Sequence, residues 1–266
     1  MSEPRTAAEL EARLRALALE MGEEVTLDAL TRDWKIFQRR RGHRHSTDDL
    51  LTAWYAASHV PEARALLDLG SGIGSVGLAL LWHFKGASLT AVEVQAISYR
   101  LFLENSWANG AESRVRAVHG DLRTAVPEGS FDLVTGSPPY FDVNSGIVSA
   151  DAQRASARFE LHGDVSDYCR AAKKAMAGGA AFVFCFPTVQ RARAERAADA
   201  AGLTRVCSRD VIPKAGLPPL FSLFMCRRAE DTKMAPPVLE PPFVVRDPAG
   251  AHTRDTDGAR SLFGLF

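Results

Sequence analysis

From Ala65 onward the chain alternates between short apolar runs and longer helical stretches, and this rhythm narrows the fold more than any other feature. ALLDLG (65–70), SLTAVEV (88–94), RVRAVHGD (114–121), FDLVTGSPPY (131–140) and AAFVFCF (180–186) have strand length and composition. Between them lie helical stretches, GSVGLALLWHF (74–84), AISYRLFLENSWANG (96–110) and DVSDYCRAAKKAMAGG (164–179), the last closed by a Gly pair. A further helix (189–202) precedes two final strands, TRVCSRDVI (204–212) and LFSLFMCRR (220–228). Repeated β-α units of this length require a parallel sheet with helices on both faces. The short KAGLPP loop (214–219) makes the last two strands an antiparallel hairpin, expected at the sheet edge. The expected fold is therefore α/β, a seven-stranded, mostly parallel sheet with an antiparallel last strand.

In such a sheet ligands bind at the carboxyl ends of the strands, beside the point where strand order reverses. The first strand ends in DLGSGIGSVG, with Asp68, Gly70, Gly72 and Gly74. Glycines let backbone turn tightly and approach a ligand, and the following helix offers free N–H groups. Position 75 is Ser, so the dinucleotide pattern G-x-G-x-x-G is broken. The form D-x-G-x-G-x-G suits S-adenosylmethionine, which has no pyrophosphate to cradle. Glu93 ends the next strand and can accept from both ribose hydroxyls. Asp121, after the third, can accept from an adenine amino group, with the Leu122 backbone meeting a ring nitrogen.

The fourth strand ends in Ser137-Pro138-Pro139-Tyr140. An exocyclic amino group is a poor nucleophile because its lone pair is delocalised. Acceptors around it stabilise the positive charge that grows on nitrogen in the transition state. The Ser137 side chain and the Pro138 carbonyl can be those acceptors. The prolines fix φ and remove competing donors, and Tyr140 offers a face for a planar base.

These stretches resemble class I S-adenosylmethionine-dependent amino-methyltransferases bearing a D/N/S-P-P-Y/F signature. Within them, the bacterial tRNA adenine-N6 methyltransferases that modify valine tRNA are the most similar. The resemblance covers residues 36–228 and rests on FQRRRGHRHSTDDLL, LLDLGSGIGSVGLAL, AVEVQ, ENSWANG, HGDLR, FDLVTGSPPYF and ARFELHGD. It implies a Rossmann-like fold, S-adenosylmethionine as cofactor and methyl transfer to adenine N6 in tRNA. It also implies that Asp68, Gly70, Gly72, Gly74, Glu93, Val94, Asp121 and Leu122 hold the donor, with Arg44 or Thr47 reaching its carboxylate. Ser137, Pro138 and Tyr140 would be catalytic. Pro139, Phe141, Arg40 and Arg41 would meet the substrate. The chain departs from the family in having Ser137 where Asn is usual, as in cytosine-N4 methyltransferases, and His43 and His45 where aromatics are usual. The alternatives are a glutamine-amide methyltransferase acting on protein, and a non-catalytic S-adenosylmethionine- or RNA-binding module.

Charge and cysteines bear on partners. Lys+Arg and Asp+Glu balance at 32 each, so no global field draws the chain to nucleic acid. Locally, WKIFQRRRGHRH (34–45) carries five Lys/Arg and no acid, with Trp34 and Phe37 interleaved, which suits looped RNA. Cys169, Cys185, Cys207 and Cys226 show no C-x-x-C spacing and read as buried reduced thiols, so no metal is expected. The N-terminus lacks a signal-type apolar segment, and no apolar run approaches the ~20 residues of a membrane span. A cytoplasmic protein without membrane contact is expected. The chain divides into a helical leader (1–34), a methyltransferase domain (35–229) and a Pro-rich connector with a C-terminal extension (230–266).

Overall fold

The computed structural model describes residues 5–128, 130–142, 149–232 and 236–266. The chain opens with helix α1 (Ala7–Met21), capped reciprocally by Thr6 and Glu9. Strands β1 (Val25–Ala29) and β2 (Lys35–Arg39) then form an antiparallel hairpin. The basic segment is thus partly a strand, and the hairpin straddles the expected boundary at residue 34. Asn105 ties it to the main body, accepting from Phe37 N at 2.6 Å and donating to Phe37 O at 3.2 Å.

Helix α2 (Thr47–His59) leads into the alternating region. It comprises β3 (Ala65–Leu69), α3 (Ser75–His83), β4 (Ser88–Glu93), α4 (Ala96–Ala108), β5 (Val115–His119), α5 (Leu122–Ala125) and β6 (Phe131–Gly136). After it come α6 (Ala152–Arg158), α7 (Val165–Ala175), β7 (Met176–Pro187), α8 (Arg191–Ala200), β8 (Leu203–Ile212), β9 (Phe221–Arg228), β10 (Val238–Val244) and α9 (Arg254–Leu262). The large sheet has the order β10-β8-β9-β7-β6-β3-β4-β5. Only β9 runs antiparallel, to both its neighbours. Apolar side chains cover both faces. Leu51, Tyr55, Leu78 and Leu81 pack on one, and Val165, Cys169, Ala172 and Ala197 on the other. Among the described residues no helix is long and apolar enough to cross a membrane.

Two expectations change. The sheet has an eighth strand, because part of the Pro-rich connector is β10, paired parallel to β8. Its register breaks between Glu240 and Phe243, where Pro241 and Pro242 fall. An edge strand tolerates residues that cannot donate. The β8–β9 hairpin therefore lies inside the sheet rather than at its margin. The helix expected to run to the Gly pair stops at Ala175, and Gly178 and Gly179 sit within β7. Gly179 takes φ 74°, open only to glycine at low cost.

Strand order reverses beside β3. The chain runs outward through β4 and β5, then returns to β6 on the other side of β3. The carboxyl ends of β3, β4 and β6 consequently border one crevice.

Candidate functional site: a carboxylate-lined cleft

The glycine loop leaves β3 at Leu69. Gly70, Gly72 and Gly74 take φ of 59°, 56° and 93°. A Cβ on Gly70 would sit 2.1 Å from the Tyr168 hydroxyl oxygen, and one on Gly74 would sit 2.4 Å from the Phe102 ring. Gly72 has open space instead, so its bare backbone faces the cleft. Glu93 holds the loop: its carboxylate accepts from Gly72 N at 2.8 Å and from Gln95 N at 2.7 Å. It is 7% exposed, and burial raises its pKa. Asp68 accepts from Gly77 N at 3.0 Å and from Thr135 Oγ1 at 2.8 Å, which ties α3 and β6 to the end of β3. Burial pushes its carboxyl up to about 6.

The cleft encloses about 940 Å³ of space, open mouth included. Asp68, Gly70, Gly72, Glu93, Val94 and Leu122 line it on one side; Ser137 and Pro139 line it on the other. Asp49 lines it too, while among the described residues no Lys or Arg does. Burial drives His43 and His45, also on the wall, toward the neutral form. Burial, then the neighbouring Asp48, pushes the Asp49 carboxyl up to about 8, so near neutral pH it is mostly protonated and the cleft's charge comes from the other acids.

Ser137 to Tyr140 leave β6 at the rim. Cys185 Sγ lies 3.5 Å from Ser137 Oγ and donates toward it. The Pro138 and Pro139 rings are buried. Tyr140 departs from expectation, since its side chain turns away from the cleft wall. Its hydroxyl donates to Asp48 Oδ2 at 3.1 Å and lies 3.3 Å from Cys185 Sγ. Its ring meets the Phe186 ring edge-on, centroids 6.1 Å apart. Burial, then the neighbouring Cys185 and Asp48, holds the phenol protonated. Tyr140 therefore braces the loop rather than offering a free stacking face. Phe141 is 44% exposed, its ring 5.8 Å from that of Phe159, and does not line the cleft.

Other expected residues lie off the wall. The Arg44 guanidinium is directed into the β1–β2 hairpin, at 2.9 Å from Thr26 Oγ1 and 3.0 Å from Asp28 Oδ2, which commits it away from a donor carboxylate. Thr47 is exposed at the start of α2. Asp121 caps α5 and is held by the Arg123 guanidinium, which keeps its carboxyl below the usual range. Its acceptor oxygens are therefore shared before any adenine arrives. Gly74 lies under the loop. Arg40 and Arg41 are exposed, with Arg40 in a loose 3.3 Å pair with Glu24.

Two structural members of the site escaped the sequence. Tyr168 on α7 packs under both Gly70 and Gly136, whose Cβ atoms would lie 2.1 and 2.9 Å from it. Gln153 on α6 accepts from His43 N at 3.2 Å and donates to Ser98 Oγ at 3.1 Å, fastening the basic loop over the cleft. The glycine before Ser137 was the one available hint of the tyrosine; nothing local marks the glutamine.

A parallel sheet with one reversed strand, a glycine loop after its first strand and an acid after its second are laid out as in the class I methyltransferase fold. Residues 47–163 match the family model "Methyltransferase small domain". Curated relatives carry the name tRNA1(Val) (adenine(37)-N6)-methyltransferase. One from a Flavobacteriaceae bacterium is 30% identical over 44% of this chain and 50% of its own length. One from Vibrio vulnificus is 32% identical over 48% of this chain and 52% of its own length. The chain spans about half the length of the curated relatives it matches. Among solved structures, a predicted O-methyltransferase from Agrobacterium tumefaciens superposes with TM-score 0.64, at 17% identity, covering 83% of this chain and 98% of that one. The Pyrococcus horikoshii protein TYW2, in complex with MeSAdo, gives TM-score 0.54 at 15% identity over 84% and 86%. At such identities these two likenesses establish the fold.

Proposed function

We propose that this protein moves a methyl group from S-adenosylmethionine to an exocyclic amino group, adenine N6 in tRNA, within the cytoplasm. The observation that carries the first half is the lining of the cleft. Asp68, ionised above about pH 6, and Glu93 line it, and among the described residues no lysine or arginine does, so it disfavours phosphate and favours a cation. A sulfonium fits that field, and the bare Gly72 backbone leaves room beside Glu93. Ser71 Oγ, buried against the cleft, has no hydrogen-bond partner among the described residues and is available to a ligand that reshapes the loop slightly.

S-adenosylmethionine would supply an electrophilic methyl carbon on sulfur. Glu93 would take the ribose hydroxyls, while the Leu122 and Val94 segments flank the adenine. Across the cleft, Ser137 Oγ has one side occupied by the Cys185 thiol and keeps acceptor capacity toward an incoming N–H. That contact draws electron density onto the target nitrogen and orients its lone pair. The nitrogen forms the new N–C bond, the C–S pair returns to sulfur, and the nitrogen releases one proton to water.

The RNA half rests on the names of the relatives and on Arg40 and Arg41, exposed beside the loop that carries His43 and His45 into the cleft wall. Exposed arginines there suit phosphate contacts, with Phe141 open for stacking. Methyl-labelled donor incubated with unmodified tRNA tests the proposal. The expected product is N6-methyladenosine on nucleoside mass spectrometry. Label appearing only in protein glutamine would overturn the RNA half, and no transfer to any pool would overturn catalysis.

A further inference from the structure

Away from the cleft, three metal-type donors meet where α2 crosses the far half of the sheet. His59 closes α2, Cys207 lies on β8 and Glu240 on β10. One donor atom of each falls within 4.8 Å of the others. His59 Nδ1 donates to the Tyr55 carbonyl at 2.9 Å, while Nε2 lies 2.9 Å from Glu240 Oε1. A backbone carbonyl on the far nitrogen is how ligating histidines are commonly oriented. The Tyr55 hydroxyl donates to Cys207 Sγ at 3.2 Å, a contact that stabilises a thiolate. Glu240 Oε2 is buried and has no hydrogen-bond partner among the described residues.

Two register breaks aim these side chains. In β8 one falls between Arg205 and Cys207, so Val206 is the extra residue. In β10 the other directly follows Glu240. Bulges commonly re-aim side chains at functional positions. Cys207 pairs with Val238, so Glu240, two residues on, shares its sheet face, the one α2 covers. The donor set selects the ligand. A carboxylate repels anions, and magnesium or calcium would ask for oxygen alone. Imidazole, thiolate and carboxylate together suit zinc-type ions at roughly tetrahedral geometry. His59 and Glu240 side chains are each 24% exposed, which leaves an approach from solvent and a position for water.

We propose that His59 Nε2, Cys207 Sγ and Glu240 Oε1 form a binding site for a thiophilic divalent cation of the zinc type, with water as fourth ligand, that clamps β10 and α2 onto β8. None of the three lines the cleft, so the site is structural and independent of methyl transfer. Binding displaces the Cys207 thiol proton and any proton shared by His59 and Glu240, both going to solvent.

Cobalt(II) titrated into the chelator-treated full chain is the test. A thiolate-to-cobalt charge-transfer band should saturate near one equivalent and be displaced by zinc. Cys207→Ser should abolish the band, and Cys226→Ser, a buried thiol elsewhere, should keep it. Glu240→Gln, on the sheet edge, should weaken cobalt binding at least about tenfold and remove the rise in Tm that zinc gives the parent protein. Absence of the band in the parent chain, its survival in Cys207→Ser, or undiminished affinity in Glu240→Gln would each overturn the proposal.

Discussion

The backbone amides of the glycine loop and of the helix after it are held by carboxylates within 21 positions, whereas Tyr140 is tied by partners 50 and 92 positions away. Gly72 hangs on Glu93, 21 positions on, and Gly77 on Asp68, nine positions back. By contrast, Tyr140 is bonded to Asp48, 92 positions away, and its carbonyl accepts from Gln190, 50 positions away. Its N–H and that of Phe141 both reach Arg158 O, at 3.1 and 2.9 Å. The backbone ties of the glycine loop thus fall within one β-α-β unit, with Thr135 and Tyr168 joining from further along the chain, while the side-chain ties of Tyr140 exist only once the fold is complete. A half built locally keeps its shape when remote parts change. A loop tied to Asp48 and Gln190 can be retuned from either, and that is where this chain places its unusual Ser137.

Substitutions can break this comparison or sharpen it. The largest effect is expected from Ser137→Ala: steady-state kinetics should show methyl transfer falling about a hundredfold, with the KM for S-adenosylmethionine little changed. A parallel loss of donor affinity would mean the halves are not separate. Asp68 comes next. Its folded pKa, about 6, lies above the ordinary value of 3.8. Between those values the unfolded chain has released its proton while the folded chain keeps it. Stability from this residue therefore falls as pH rises through that window, by about 3 kcal/mol in all. Asp68→Asn should lack that slope when urea unfolding is compared at the two ends. The smallest effects belong to the exposed arginines. Arg40→Ala and Arg41→Ala should each weaken tRNA binding a few-fold and lower the salt slope by ~1, read by binding titration across salt concentrations. An unchanged slope for both would move the RNA contact elsewhere.

The carboxylate side of the cleft was legible because its pattern is local. Asp68, the glycines and Glu93 stand at strand ends that the alternation already marks, and only their backbone settings had to be inferred. The acceptor half was legible as a motif and misread in detail. Tyr140 turns inward because Asp48 and Cys185 offer its hydroxyl partners that no short string reveals. Arg44 is drawn to the hairpin partners Thr26 and Asp28, 18 and 16 positions earlier, which no local pattern around it reveals. Tyr168 and Gln153 enter through tertiary packing alone. Strand β10 was hidden by its prolines, which suggest a connector until an edge position makes them harmless.

The central claim is that buried carboxylates at the ends of β3 and β4 hold a sulfonium donor. Calorimetric titration of S-adenosylmethionine into the parent chain and into Glu93→Ala, with near-ultraviolet circular dichroism to confirm an intact fold, addresses it most directly. Loss of charge-assisted bonds to two hydroxyls, about 1.5–3 kcal/mol each, should weaken binding by roughly a hundredfold or more. Equal affinity in the two proteins, or no binding by the parent chain, would contradict it.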